Sequence, residues 1–325
     1  MNHPIFKYTL IGFFILNYGC NSNNDNPVGV TQQLNWTQMN KGLTDLNVHA
    51  LVAIGSNLLA GTSYDGIFLS SDNGTNWAQI DSGFGFSSTN SFAVNGRYLF
   101  AGGNRGVFYS IDNGLTWIQV NSGLTDTSIT ALTVSGNNLF AGTYQSGVFT
   151  STNNGASWRA VNNGLQYNSI VAFAVCGTNL FAVTTRNGED VFVTTNDGVS
   201  WSIVNAELAT LNVVTFAVSG TNIFAGTIGA GILRSTDNGK NWSAVNTGLP
   251  YDSSQSLFYP VNTLAEGSAL VFAGTYQGVY YSSNNGVSWN AANTNLQNNV
   301  QALVIKGSYL FAIIWDGGVW RSSFQ

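Results

Sequence analysis

Seven tryptophans divide the chain into near-equal lengths. Trp36, Trp77, Trp117, Trp158, Trp201, Trp242 and Trp289 are separated by 41, 40, 41, 43, 41 and 47 residues. A period near forty, sustained over most of a chain, marks a repeat architecture. Each unit of such a chain covers its apolar surface with its neighbours. The third unit shows the parts. Residues 129–134 alternate apolar and polar, the period of a half-buried strand. Ser135-Gly136-Asn137-Asn138 is a turn, and 139–143 reads as a second strand. Tyr144 to Gly147 turns the chain into a third strand at 148–150, and Ser151 to Gly155 form a hairpin into a fourth at 158–161. Four antiparallel strands in forty residues is one blade of a propeller.

The second strand recurs as Leu99-Phe-Ala-Gly, Leu180-Phe-Ala-Val, Ile223-Phe-Ala-Gly, Val271-Phe-Ala-Gly and Leu310-Phe-Ala-Ile. Its small Ala-Gly pair lets neighbouring sheets approach closely. Composition agrees: charged residues are 8% against the roughly 25% of ordinary domains, glycine is abundant at 37, and no long stretch carries a helical apolar period.

The ends set the number of blades. The last unit runs through 302–305, 310–312 and 318–322 and stops after three strands. The first unit starts at 34–43 with a fourth strand that lacks the three before it. Six whole units and two complementary parts predict an all-β, seven-bladed β-propeller of four-stranded antiparallel blades. Its last blade is closed by the N-terminal strand, with Trp36 beside Val319.

Each turn between strands three and four carries Ser/Thr-x-Asp/Asn-x-Gly-x-x-Trp. The copies are Asp72 with Trp77, Asp112 with Trp117, Asn153 with Trp158, Asn196 with Trp201, Asp237 with Trp242 and Asn284 with Trp289. A short Asp or Asn oxygen accepts backbone N–H bonds in the turn, and the glycine takes a positive φ. The indole folds back between sheets, contributing about 2–3 kcal/mol. This pattern resembles the Asp-box, or BNR, repeat of sialidases, sortilin-type receptors, some glycoside hydrolases and photosystem assembly factors of the Ycf48 kind. The resemblance covers 34–325 and implies the propeller fold; members differ widely in function.

Residues 1–19 read as an export signal, with Lys7 in a short basic front and a nine-residue apolar run from Tyr8 to Leu16. Gly19-Cys20 resembles the processing site of bacterial lipoproteins, which implies a lipid anchor on Cys20, although Asn17 and Tyr18 depart from the family pattern. Residues 20–33 would be a flexible tether. The expectation is an exported lipoprotein at the outer membrane or cell surface; a periplasmic or secreted protein is the alternative.

Several chemistries are argued against. The ten Lys and Arg residues are scattered, so nucleic acid is not an expected partner. Cys20 and Cys176 form no metal motif, and Cys176 replaces the serine of a recurring Ser-Gly turn. Half the hairpin aspartates are asparagines, so neither metal nor other cofactor is expected. A sialidase-like site would need an Arg-Ile-Pro segment, which is missing, and the chain has only Glu189, Glu207 and Glu266 as glutamates. Arg234 and Arg321 read as exposed blade positions. Asp65, Glu189, Asp190, Asp252 and Asp316 are the acids left over near the face away from the hairpins. His49 is the one histidine after the signal, with no nucleophile motif around it in sequence.

Loops between strands two and three share that opposite face with the blade-to-blade loops. They carry Tyr64 and Asp65, Arg105, Tyr144 and Gln145, Arg186, Tyr276 and Gln277, and Trp315 and Asp316. The long 47-residue interval adds Tyr251, Phe258 and Tyr259 in an inserted loop. Aromatic and hydrogen-bonding groups at a funnel mouth suit a peptide or a sugar. The expected protein is a monomeric, non-catalytic binding propeller with a protein or glycan ligand there; a sialidase-like glycoside hydrolase is the alternative.

Overall fold

In a computed structural model the chain is a seven-bladed propeller. The structure describes residues 34–324 apart from 81–82, 84, 86–87, 185–189, 205–207, 268 and 297–298. The expected signal, tether and Cys20 therefore lie outside the described residues, as do Arg186 and Glu189.

Blade 1 comprises Val48–Ile54, Asn57–Thr62, Ile67–Ser70 and Ala78–Ile80, paired antiparallel in that order from the axis outward. Five more sheets repeat it, and blade 7 completes the ring. Its Gly318–Ser323 strand pairs with Thr37–Gln38, in register Thr37 opposite Arg321 and Gln38 opposite Trp320. The closure predicted from the ends is therefore present. It is reinforced by Met39 N–H donating to Val319 O at 2.8 Å and Trp36 Nε1 donating to Ala292 O at 2.7 Å.

The fourth strands are shorter than the sequence suggests. Arg159–Ala160 is all that remains of the predicted 158–161, because Trp158 leaves the ladder to bury its ring. The core lies between blades rather than within one. Between blades 1 and 2, for example, Ala50, Val52 and Leu59 meet Phe92, Leu99, Phe108 and Trp117. Cys176 packs into the equivalent layer between blades 4 and 5, consistent with a small buried residue.

Every hairpin is built as its chemistry dictates. In blade 1, Ser70 Oγ donates to Asp72 Oδ1 at 2.8 Å and accepts the Gly74 N–H at 2.8 Å, while Asp72 Oδ1 accepts the Asn76 N–H at 2.9 Å. The side chain of Asn76 leads these contacts in holding the Asp72 carboxyl down at about 2. Asp237 is held at about 2 by Asn241, backbone first. Partial burial pulls Asp112 the other way, yet bonds from Thr116 and Ser110 together lower it. Asn153, Asn196 and Asn284 make the same backbone contacts without charge.

Two features were not anticipated. An asparagine that ends strand four clips strand three. Asn162 Oδ1 accepts Val148 N–H at 2.7 Å and its Nδ2 donates to Ser146 O at 2.9 Å; Asn40, Asn121, Asn246 and Asn293 repeat this. Gly147, φ +79°, makes room: a Cβ there would lie 2.4 Å from Asn162 Oδ1. Second, the innermost strand of every blade slips register at its second residue. Bulges re-aim side chains and gather beside functional sites.

Candidate functional site

The strand directions put the strand two-to-three turns and the blade-to-blade loops on one face and the hairpins on the other. Aromatics are exposed on the former: Tyr64 at 72%, Tyr144 at 47%, Tyr251 at 51%, Tyr276 at 40% and Trp315 at 41%. They are not evenly spread. Tyr251, Tyr276, Trp315 and Tyr64 belong to the insertion before blade 6 and to blades 6, 7 and 1, which are consecutive around the ring; Tyr144 stands apart in blade 3.

The insertion is a small hairpin, Tyr251–Asp252 paired with Leu257–Phe258. Phe258 N–H donates to Gly229 O at 3.0 Å, and Leu257 sits against Gly229, the turn of blade 5. Blade 5 has Ile228-Gly229-Ala230 where blades 3, 6 and 7 carry an aromatic, and the hairpin brings Tyr251 and Phe258 beside that turn. Of the three insertion aromatics only Tyr251 is exposed; Phe258 and Tyr259 are half-buried. Phe258 stacks edge-on to Tyr251 at 5.0 Å, and Tyr259 lies parallel to Tyr276 at 6.2 Å.

Tyr64 also differs from its sequence alignment. Backbone bonds equate Ser63, not Tyr64, with Tyr144 and Trp315: the N–H groups of Ser63, Tyr144 and Trp315 donate to Asn47, Ser128 and Asn299 carbonyls respectively. Tyr64 matches Gln145, and both N–H groups bond to a loop aspartate, Asp45 or Asp126. Arg105 contributes its carbonyl to the Asn121 clip, and Gln277 its carbonyl to Asn293.

Of the leftover acids, the structure describes Asp65, Asp190, Asp252 and Asp316. Asp65 accepts the Thr44 hydroxyl, Asp252 accepts Ser254 and Gln255 within its own hairpin, and Asp316 takes a left-handed φ of 51° in its turn. The Ser254 hydroxyl lowers the Asp252 carboxyl, and burial raises Asp190. Among the described residues none of these carboxylates shares a hydrogen-bond partner with another, and no group of three His, Cys, Asp or Glu residues is placed to hold a metal.

Arg234 and Arg321 are half-buried, not free surface positions. Arg321 Nη1 donates to Asn73 O at 2.7 Å and its guanidinium lies 4.8 Å from the Tyr309 ring; Arg234 Nη1 donates to Asn285 O at 2.7 Å. Each tethers the hairpin of the next blade, which explains their place without a substrate carboxylate.

His49 is the functional candidate that the linear sequence hid. It occupies the bulge position of blade 1, and its Nε2 lies 2.8 Å from Ser63 Oγ. Burial lowers its imidazole, outweighing Asn90 and Asp45, which raise it.

Known proteins place this architecture in a wide structural class. A family model for the DUF6242 β-propeller domain matches residues 136–279. No curated protein sequence matches the chain. The solved structure of Ycf48 bound to a D1 peptide superposes with a TM-score of 0.72 at 14% identity, covering 93% of this chain and 100% of that one. The GH74 xyloglucanase of Xanthomonas campestris gives 0.71 at 16%, but this chain spans only 54% of it. PorZ, a surface component of the type-IX secretion system of Porphyromonas gingivalis, gives 0.67 at 14%, with 87% and 47% covered. At these identities the shared property is the fold.

Proposed function

We propose that this protein is a recognition propeller that holds an extended peptide segment of a protein partner along the aromatic arc of blades 6, 7 and 1. The observation that carries this reading is the arc itself: Tyr251, Tyr276, Trp315 and Tyr64 exposed on consecutive elements of one face. Aromatic rings joined to turn carbonyls and amides suit an extended chain, whose side chains stack while its backbone bonds. Ycf48, similar over its whole length, has been solved with a peptide bound, which supports the peptide over the glycan. Against a glycoside hydrolase, the Asp65 and Asp252 carboxylates already accept local hydroxyl bonds, from Thr44 and Ser254.

We also read the six hairpins as Asp boxes and the N-terminus as a lipoprotein signal with Cys20 lipidated. Thr37–Gln38 is a fourth strand, so the described chain enters at the hairpin face. A tether there would hold the aromatic face away from the membrane. Labelled palmitate incorporation that is unchanged by Cys20→Ser would overturn the anchor. For recognition, a displayed peptide library is panned on the full chain and selected peptides are titrated by calorimetry. Trp315→Ala and Tyr276→Ala should each weaken binding about 10-fold or more, the range for interface aromatics. Binding indifferent to both, or glycan-array hits lost in Trp315→Ala without any peptide binder, would refute the peptide reading.

A further inference from the structure

Two neighbouring positions whose residue type varies from blade to blade hold His49 and Ser63 in blade 1. At the bulge of its first strand it has His49, where blades 2 to 7 have Asn90, Thr130, Val171, Val214, Asn262 and Gln301. At the opening of its strand two-to-three turn it has Ser63, where blades 3, 6 and 7 have Tyr144, Tyr276 and Trp315. The pairing of Val48 with Thr62 brings the two positions together.

The geometry assigns an ordered relay. Ser63 Oγ is 2.8 Å from His49 Nε2, and His49 Nδ1 is 3.4 Å from Asn90 Oδ1. Asn90 Nδ2 donates to Ile129 O at 2.8 Å, and Ser88 Oγ donates to Asn90 Oδ1 at 2.7 Å. The amide therefore turns its oxygen, not its nitrogen, toward His49. An acceptor there requires the proton on Nδ1, which leaves the Nε2 lone pair for the Ser63 hydroxyl. In serine proteases an Asn in place of the triad Asp fails because it selects the wrong tautomer; here the bond to Ile129 selects the right one. Half-burial keeps the imidazole neutral, as a base must be.

We propose that Ser63 is a base-activated nucleophile, with His49 as its base and Asn90 as positioning residue, that takes a small acyl group from an activated ester. Ser63 Oγ attacks the carbonyl carbon while its proton passes to His49 Nε2. The tetrahedral adduct expels the alkoxide, which leaves as the alcohol with that proton, and Ser63 remains as an ester. Water attacks the ester by the same route, releasing the carboxylic acid and restoring Ser63. The nearby backbone N–H groups of Ser63, Tyr64 and Asp65 are committed to Asn47 O, Asp45 Oδ2 and Thr62 Oγ1. None is free to steady an oxyanion, a contribution worth about 10²–10³ in rate per donor elsewhere. The expected signature is thus covalent capture with slow release, and both half-buried groups favour a small acyl chain. This chemistry is independent of peptide recognition, so either can fail alone.

The test is labelling of the full chain with a fluorophosphonate, located by intact mass and peptide mapping. One adduct is expected, on Ser63, and none in Ser63→Ala. His49→Gln should slow labelling by about 10²-fold or more, the usual worth of a general base. Asn90→Asp should keep the rate within a few-fold, and Asn90→Leu should lower it. Thermal melts establish that each variant is folded. An unlabelled wild type, an adduct elsewhere, or an equal rate in folded His49→Gln would overturn the proposal.

Discussion

Gly142→Ala tests the close approach of blades directly. Gly142 pairs with Ala131 in blade 3 and does not have a left-handed φ, so its backbone accepts any residue. A Cβ there would lie 2.6 Å from Ile170 Cγ2, 2.8 Å from Ile170 Cβ and 3.1 Å from Phe173 Cε2. Carbon atoms rest at about 3.5–4.0 Å, so one methyl overlaps two blade 4 side chains by up to about 1 Å. Ile170 is fully buried and β-branched, and its Cβ moves only with the backbone. The blades must part. Overpacking of this kind costs about 1–3 kcal/mol, offset by about 0.4–1 kcal/mol from a stiffer unfolded chain. An overlap this deep belongs at the upper end, about 2–3 kcal/mol, which leaves a net loss of about 1–2.6 kcal/mol, or a fall of a few °C in Tm.

The assay is urea and thermal unfolding of Gly142→Ala, Ile170→Ala and the double variant. Removing the Ile170 side chain beyond Cβ relieves the closest contact, so the two changes should couple by about 0.5–3 kcal/mol. Gly142→Ala within about 0.5 kcal/mol of wild type, additive with Ile170→Ala, would refute the packing argument. Val183, fully buried at the equivalent position of blade 4, confines this test to the glycine seams.

Deleting residues 35–40 removes the Thr37–Gln38 pairing and should replace one cooperative melt by a broad transition; a normal melt would refute the closure. Asn40→Ala is milder. It leaves Val319 N–H and Gly317 O without the clip and should cost about 1–3 kcal/mol by chemical denaturation. Asp72 and Asp237, at about 2 when folded against an ordinary aspartate value of 3.8, contribute stability that is present above about pH 4 and lost as pH falls through about 2. Asp72→Asn should flatten the Tm profile in that window while preserving the hairpin, as Asn153 does; an unchanged acid profile would show the charge is irrelevant.

Much of the ring is legible in residue type because its parts are local. Ser70, Asp72, Gly74 and Trp77 lie within one hairpin, and their bonds form among themselves or to the strand beside them. The Asn-x-Gly-Leu that follows strand four is as regular, but its clip to strand three is not evident from spacing, because Asn162 reaches back 14 residues to Val148. The bulges leave no signature at all. His49, Asn90 and Thr130 differ in residue type and share a place in the register, from which Asn90 and Thr130 each donate to the next blade's Ile129 or Ile170 carbonyl. Matching turns by their aromatic residues put Tyr64 level with Tyr144, and only the backbone bonds showed that Ser63 holds that place.

In a chain made from one repeated unit, a residue present in every copy is accounted for by what it does in every copy. The hairpin aspartates, the tryptophans and the clip asparagines all spend their polar atoms inside the scaffold. Positions where one blade differs have no such reason to differ. Three departures stand out on the face away from the hairpins: the inserted Tyr251–Phe258 hairpin, Trp315 in place of tyrosine, and Ser63 beside His49. They belong to the seam from blade 5 through blade 7 to blade 1, while Tyr144 in blade 3 keeps the common form. Blades 2 and 4 also lack the aromatic at this turn, so the proposed arc rests on the exposed rings of blades 6, 7 and 1 themselves, and Trp315→Ala and His49→Gln are the variants that separate recognition from reactivity.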